Sequence, residues 1–132
     1  MEFDVRWVQR LENFEKSVGV LGQVLEMPRL DLFQKAGLIQ FFEMSFELGW
    51  NLLKDYLEHQ GETDVATPRS AIKKAFEIGL IADGRLWLKG LEDRNLTSHT
   101  YNEAVADRVI DLVRHIYFPL FQDLQHRMVS LR

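Results

Sequence analysis

The sequence has no cysteine, only three prolines among 132 residues, and no long apolar run. Without cysteine the chain has neither a disulfide framework nor a thiolate metal site, so a reducing cytoplasm is the simplest expected location. Because a membrane helix needs about 18 or more consecutive apolar residues, no membrane span is predicted. Residues 1–6 place no basic region ahead of an apolar stretch, so we also expect no secretory signal.

The composition shows no extreme that would exclude an ordinary globular domain. Hydrophobic residues make up 46% and charged residues 27% of the chain, which predicts one domain over residues 1–132. The net charge of −4 argues against a general polyanion binder. Residues 1–66 hold twice as many acidic as basic residues, whereas residues 67–99 hold a small basic excess. An anionic ligand is therefore expected to bind the middle third.

Three stretches repeat apolar residues at steps of three and four, the spacing of a helix that buries one face. The first should end before Pro28, because the residue preceding a proline is disfavoured in a helix. The second should begin near Asp31 and end at about His59, just before Gly61. The last should be kinked at Pro119. The predicted buried seams are Trp7, Leu11, Phe14, Val18, Leu21 and Leu25, then Ile39, Phe42, Phe46, Gly49, Leu53 and Tyr56, and finally Val105, Val109, Leu112, Ile116 and Leu120.

Two shorter helices are predicted between the second and the last. Thr67 can cap free amides and Pro68 suits the first helical position, while Asp83 and Gly84 open a further helix. No alternation typical of β-strands is present. Long helices joined by short connections predict an all-α fold, an antiparallel up-down four-helix bundle with an extra short helix.

The second predicted helix is apolar over more than half of its circumference. We expect a single four-helix core to leave part of this face exposed. Since large exposed apolar patches mark interfaces, this predicts a homodimer. The apolar residues concerned are Leu38, Ile39, Phe41, Phe42, Phe46, Leu48, Leu52 and Leu53.

Metal-binding patterns are missing from the sequence. No two of the four histidines are three or four residues apart and none lies in a His-Glu-x-x-His frame, so neither a metal nor another cofactor is predicted. Glu43 and Glu47 share one face of the second helix. Paired carboxylates can perform acid–base chemistry or bind a divalent ion, but their spacing favours the solvated side of an amphipathic helix.

Residues 94–101 form a polar run between two apolar helices. On an ideal, unbroken α-helix Arg94 and Tyr101 would lie within about 20° of each other, and Asn95 and His99 within about 40°. The run would then direct a guanidinium, an imidazole and a phenol towards one cleft. The alternative is a polar helix junction in which Asn95 acts as a cap and His99 is a satisfied hydrogen-bonding partner.

An arginine–histidine pair suits phosphate chemistry that needs no metal. The guanidinium of Arg94 offers a planar fork to phosphate oxygens, and His99 can transfer a proton to or from a 2′-hydroxyl. Cleaving RNA by internal transfer requires one base and one acid, yet the run contains one histidine. Two such runs facing each other in a symmetric homodimer would supply both groups.

Residues 94–101 also fit the pattern Arg-x4-His-x-Tyr at its three defining positions. Over residues 36–117 the chain resembles the HEPN family, in the HepT-like branch also described as nucleotidyltransferase substrate-binding proteins. Further segments that carry the resemblance are residues 42–50, 54–58, 67–69, 75–81 and 86–88.

This resemblance implies a homodimeric four-helix bundle that acts as a toxin and is paired with a small nucleotidyltransferase, the MNT antitoxin. Arg94 and His99 match the catalytic residues of a metal-independent endoribonuclease, and Asn95 occupies a supporting position after the arginine. Tyr101 matches the tyrosine that the partner modifies with AMP. One departure is Asn51, where relatives usually have lysine, which puts a cation's role there in doubt.

The resemblance leaves a second function open. The chain could be a non-catalytic subunit that presents a nucleotide or another substrate to a separate nucleotidyltransferase. Ribonuclease and binding subunit would use the same residues, so the sequence does not separate them.

Overall fold

The computed structural model describes residues 5–132. The first four residues lie outside it, and with them most of the hexapeptide on which the prediction of no secretory signal rests. The described residues contain no β-strand, which confirms the all-α class, and none of their helices is long and apolar enough to cross a membrane. The helices are α1 (Arg6–Leu25), α2 (Leu32–His59), α3 (Pro68–Glu77), α4 (Gly84–Asp93), α5 (Glu103–Leu112) and α6 (Phe118–Leu131). A 3₁₀ helix, Arg94–His99, follows α4, and a π-helical turn, Val113–Tyr117, joins α5 to α6.

The helix ends follow the predicted capping signals. Asp31 accepts a hydrogen bond from the backbone N–H of Gln34 at 2.8 Å, and the Gln34 side chain accepts one in return from the backbone of Asp31. Thr67 and Ser70 form the same reciprocal arrangement at the start of α3. Beyond α2, Gly61 adopts a φ of 88°, a backbone conformation that residues with a side chain rarely adopt. These boundaries are therefore set locally.

Helices α1 and α2 pack side by side and antiparallel. Near the start of α1, Arg10 pairs with the buried Asp55 near the end of α2 at 3.0 Å. Midway along, the hydroxyls of Ser17 and Ser45 form a buried hydrogen bond of 2.7 Å. All six residues of the seam predicted for α1 are buried, so that prediction is confirmed.

The last helix, formed by the π-helical turn and α6, packs against both α1 and α2. The ring of Phe121 lies 5.9 Å from that of Phe14 and 6.2 Å from that of Phe42, while Arg114 donates to the carbonyl of Leu25 at 2.8 Å. The last helix therefore runs antiparallel to α1. Between α2 and α5 the chain forms two short helices and a 3₁₀ turn in place of a fourth long helix, so the complete up-down bundle stays a prediction.

Part of the buried stripe in the segment from α5 to α6 lies one position further along the chain than predicted, whereas Val109 and Leu120 are buried as predicted. Leu112 and Ile116 are half-buried, whereas Val113 and Tyr117 are completely buried. Both stripes are apolar, so periodicity does not distinguish them. Packing decides, because the Tyr117 ring lies against Phe42, with centroids 5.3 Å apart.

The kink predicted at Pro119 corresponds to an irregularity just before that residue. The π-helical turn Val113–Tyr117 ends two residues ahead of the proline. Proline offers no N–H to the carbonyl four residues earlier, so a regular α-helix would lose a hydrogen bond there. A π-helical turn at this point is one of the recognised causes of helix bending.

Most of the apolar face of α2 is covered within a single chain. Six of its eight apolar residues are buried, because α1, α3, α5 and α6 all contact this helix. A single chain therefore leaves only a small part of this face exposed. Only Phe41 and Leu48 remain half-buried, and with Val20 and the 40% exposed Met44 they line an apolar groove between α1 and α2.

The backbone of α4 packs closely against the core at Gly90. A Cβ atom at this position would lie 2.4 Å from a ring carbon of Phe46 and 3.2 Å from one of Tyr117. We expect Gly90→Ala to lower the free energy of unfolding by about 1–3 kcal/mol through overpacking. The matched change is Gly37→Ala in the interior of α2, where an added Cβ would meet no atom of another helix or side chain within 4 Å. This change should raise the free energy of unfolding by about 0.5–1 kcal/mol. Chemical denaturation measures both, and a Gly90→Ala protein as stable as Gly37→Ala would contradict this packing.

Candidate functional site

In the polar run, which folds as a 3₁₀ helix, three side-chain hydroxyls bond to backbone carbonyls of the run itself. Thr97 donates to the carbonyl of Arg94 at 2.6 Å, and Ser98 donates to that of Asn95 at 2.9 Å. Thr100 donates to the carbonyl of Thr97 at 3.0 Å. Such bonds three residues back along the chain are compatible with the i→i+3 pattern of a 3₁₀ helix. The run is thus a helix junction whose two ends present different side chains.

This conformation changes the predicted geometry. At about 2.0 Å rise per residue, Arg94 and His99 are separated by about 10 Å along the axis. With three residues per turn, they also lie about 120° apart around it. Tyr101 follows beyond the end of the helix. The angles of about 20° and 40° assumed an unbroken α-helix and do not apply, and the structure shows no contact between Arg94 and His99.

Arg94 lies against α2. Its Nη1 donates to Oε2 of Glu47 at 2.9 Å, and its guanidinium carbon lies 5.5 Å from the ring centroid of Phe46. The side chain stays 32% exposed. Asn51 donates to the backbone carbonyl of Glu47 at 2.8 Å and to its Oε1 at 3.3 Å. At this departure from the family pattern, a neutral amide therefore contacts the carboxylate that binds the arginine.

The cleft beside Arg94 is open and has a volume of about 560 Å³. Polar side chains of α2 form one wall, and the 3₁₀ helix forms the other. The lining residues are Gln40, Glu43, Met44, Glu47, Arg94 and Thr97. Met44 and Glu47 also line the apolar groove between α1 and α2, so groove and cleft are continuous.

The end of α4, directly before Arg94, is held against the core. The buried Tyr117 hydroxyl donates to the carboxylate of Asp93, which also accepts from Lys89 at 2.6 Å. Burial, together with the adjacent Asp93, raises the pKa of Tyr117 above its ordinary value. The phenol is therefore protonated at neutral pH and remains a donor. The backbone directly before Arg94 is therefore held in place.

The other end of the run is solvated. His99 is exposed, and its imidazole has no hydrogen-bond partner among residues 5–132. Tyr101 is 87% exposed, and its ring stands edge-on to the imidazole with centroids 6.2 Å apart. Asn95 is exposed, and its side chain contacts neither the His99 imidazole nor the Tyr101 ring. The structure therefore joins His99 with Tyr101, and Arg94 with Glu47.

Glu47 is the site residue whose role the sequence reasoning missed. It belongs to the carboxylate pair assigned to a solvated helix face, yet it is the partner of Arg94. The available signal was the spacing of Gln40, Glu43, Glu47 and Asn51, polar residues three or four apart in the mainly apolar middle of α2. Glu43 lines the same cleft but has no hydrogen bond or ion pair with any described residue. Within residues 5–132, no three His, Asp or Glu side chains are grouped as metal ligands.

Comparison with known proteins connects this geometry to a family. The family described as "Nucleotidyltransferase substrate binding protein like" matches residues 9–130. The chain belongs to this family. It is also similar to a protein of Thermus thermophilus known from its crystal structure, which superposes with a TM-score of 0.72 at 32% sequence identity. The alignment covers 89% of this chain and 96% of that one.

A curated relative of this nucleotidyltransferase substrate-binding-like chain is the probable ribonuclease HepT of Haemophilus influenzae. The two are 33% identical over 75 residues. The alignment covers 54% of this chain and 51% of the relative, so the chain spans about half the length of the curated relative that it matches. The predicted membership of the HepT-like HEPN proteins is confirmed.

Proposed function

We propose that this chain is a metal-independent endoribonuclease, the HEPN toxin of a toxin–antitoxin pair that acts on cytoplasmic RNA. The observation that carries the proposal is the exposed imidazole of His99, which bonds to no described residue and lies on the same short 3₁₀ helix as the partly exposed Arg94. The similarity to a probable ribonuclease supports the same activity. His99 is the acid–base group, Arg94 binds the reacting phosphate, and Asn95 has a supporting role.

The proposed reaction needs no group beyond these side chains and the RNA. The 2′-hydroxyl loses its proton to one imidazole and attacks the adjacent phosphorus. The bond from phosphorus to the 5′-oxygen breaks, and the leaving oxygen takes a proton from an imidazolium. A 2′,3′-cyclic phosphate and a free 5′-hydroxyl result. Arg94 donates to Glu47 through one of its five N–H groups, so the others are available to the charge that develops on phosphate oxygens.

Base and acid would come from two chains of a homodimer. Each chain has a single histidine in the run, and Arg94 and His99 lie at opposite ends of it. The apolar groove of Val20, Phe41, Met44 and Leu48 adjoins the cleft and is the surface we assign to the dimer contact. Two up-down bundles joined there would bring both 3₁₀ helices to one RNA-binding cleft.

We predict that Met44→Glu converts the dimer into a monomer, because it places a charge in the middle of the assigned contact surface. Met27→Glu is the matched control, since Met27 is equally exposed, at 40%, but lies in the turn after α1. Light scattering at micromolar concentration should give twice the chain mass for the wild type and for Met27→Glu. A wild-type protein with the mass of one chain would refute the dimer.

The partner we propose is a small nucleotidyltransferase that silences the toxin by transferring AMP to Tyr101. The family description names nucleotidyltransferases, which supports a partner of this class. Tyr101 suits the acceptor role because 87% of its surface is accessible and its hydroxyl has no described partner. Its ring lies beside the imidazole of His99, so an adduct there would cover the acid–base group.

A non-catalytic nucleotide-binding subunit is the second candidate. The family description favours it directly. The pairing of Arg94 with Glu47, beside a second carboxylate at Glu43, also leaves the cleft with little positive charge for a long polyanion. This function predicts nucleotide binding in the same cleft with no turnover.

One experiment separates the two. The purified protein is incubated with structured and unstructured RNA in the presence of a chelator, and product ends are analysed by mass spectrometry. Cleavage that leaves cyclic phosphates supports the ribonuclease. Calorimetric binding of ATP or AMP to a protein that leaves every RNA intact supports the binding subunit.

A further inference from the structure

Glu47 occupies an unexpected place for a carboxylate in a cleft that takes an anionic ligand. It lies in the wall of the cleft and is directly bonded to Arg94, the cation closest to the reacting phosphate in the proposed function. A negative charge there repels phosphate and weakens binding. A physical reason for its presence must therefore outweigh that repulsion.

Stability does not supply that reason. The side chains of Glu47 and Arg94 are 55% and 32% exposed, and ion pairs with this much solvent contact contribute little to folding. The α2 helix has its own capping box and buries eleven residues without this pair. Removing the carboxylate should leave the fold intact.

Orientation of the guanidinium does supply a reason. An arginine side chain has several rotatable bonds, and each must be fixed if its N–H groups are to face one phosphate. The Phe46 ring supports the guanidinium from one side at 5.5 Å, and Glu47 holds Nη1 at 2.9 Å. Glu47 is itself contacted by Asn51, whose amide donates to its Oε1 at 3.3 Å. The two successive hydrogen bonds, from Asn51 to Glu47 and from Arg94 to Glu47, thus fix the rotation of the guanidinium on the Phe46 ring.

We infer that Glu47 is a positioning residue, which holds Arg94 in the orientation that stabilises the transition state at the cost of weaker RNA binding. The inference rests on the proposed ribonuclease function. Glu43 provides the contrast, because it lies one helical turn away in the same cleft, carries the same charge and has no contact with Arg94.

The test compares Glu47→Ala, Glu47→Gln and the matched control Glu43→Ala in steady-state cleavage of a short RNA. Loss of one negative charge from the cleft should lower KM by about two- to fivefold in all three. Only the Glu47 variants should also lose kcat. For Glu47→Ala we expect a loss of about 10- to 100-fold, since misplacing a catalytic group by about 1 Å can cost about 10²-fold. Glu47→Gln keeps an acceptor oxygen for Nη1, so its kcat should fall less.

The outcomes separate this inference from the proposed function. Wild-type cleavage with a lower KM and a lower kcat for Glu47→Ala, but a change in KM alone for Glu43→Ala, supports the positioning role. Wild-type cleavage with equal kcat values for Glu47→Ala and Glu43→Ala overturns the inference and leaves the ribonuclease intact. A loss of kcat matched by a large fall in thermal midpoint also overturns it, because the role would then be structural. A wild-type protein that cleaves no RNA refutes both.

Discussion

Replacing His99 by alanine should abolish RNA cleavage while leaving the thermal midpoint within a few degrees of the wild type. A positioned proton-transfer group typically contributes about 10²–10⁴-fold in rate. The imidazole is exposed and bonds to no described residue, so its removal should change the free energy of unfolding by less than about 1 kcal/mol. Cleavage of a labelled RNA in the presence of a chelator and a thermal melt measure the two quantities.

His126→Ala is the appropriate control for this variant. His126 is likewise exposed and lies on α6, outside the polar run. It should match the wild type both in cleavage rate and in thermal midpoint. A His99→Ala protein that keeps its activity would remove the catalytic assignment, and one that unfolds would show that the imidazole serves the fold instead.

Replacing Tyr101 by phenylalanine should produce a toxin that the partner nucleotidyltransferase is unable to silence. In the proposed transfer, the phenolic oxygen attacks the α-phosphorus of ATP, pyrophosphate leaves, and a base of the transferase accepts the proton. Phenylalanine keeps the ring beside His99 but lacks the accepting oxygen. After co-expression, intact-mass spectrometry should show an AMP adduct on the wild type and none on Tyr101→Phe.

The structure determines which group such an adduct would block. The unbroken helix assumed from the sequence would place Tyr101 over Arg94, where a new phosphate would compete for the guanidinium. Instead the Tyr101 ring stands 6.2 Å from that of His99, so the adduct would block the imidazole by its charge and bulk. Tyr56→Phe is the control, since Tyr56 is half-buried in α2 and should leave the modification unchanged. A mass gain that persists in Tyr101→Phe would place the modification elsewhere.

The sequence by itself determined the features that depend on neighbouring residues. Asp31, Thr67 and Gly61 specify helix ends through bonds and conformations within a few residues, and the structure has them as predicted. The seam of α1 was also predictable, because that helix has one apolar stripe and only one way to bury it. The family likewise followed from an ordered set of short segments.

Only the tertiary structure decided features for which the sequence offers two equivalent solutions or a partner far along the chain. The last helix has two adjacent apolar stripes, and contact with Phe42 selects the one containing Val113 and Tyr117. The polar run suited an α-helix or a tighter turn, and its hydroxyl-to-carbonyl bonds accompany the 3₁₀ form.

The partner of Arg94 lies 47 residues earlier in the chain, on a helix face that looked merely solvated. Spacing along one helix shows which of its residues share a face, but not which other helix that face will meet. That choice depends on how α2 and the end of α4 pack, with Gly90 against Phe46 and Tyr117 bonded to Asp93. These contacts join segments distant in sequence, so local pattern carries no information about them.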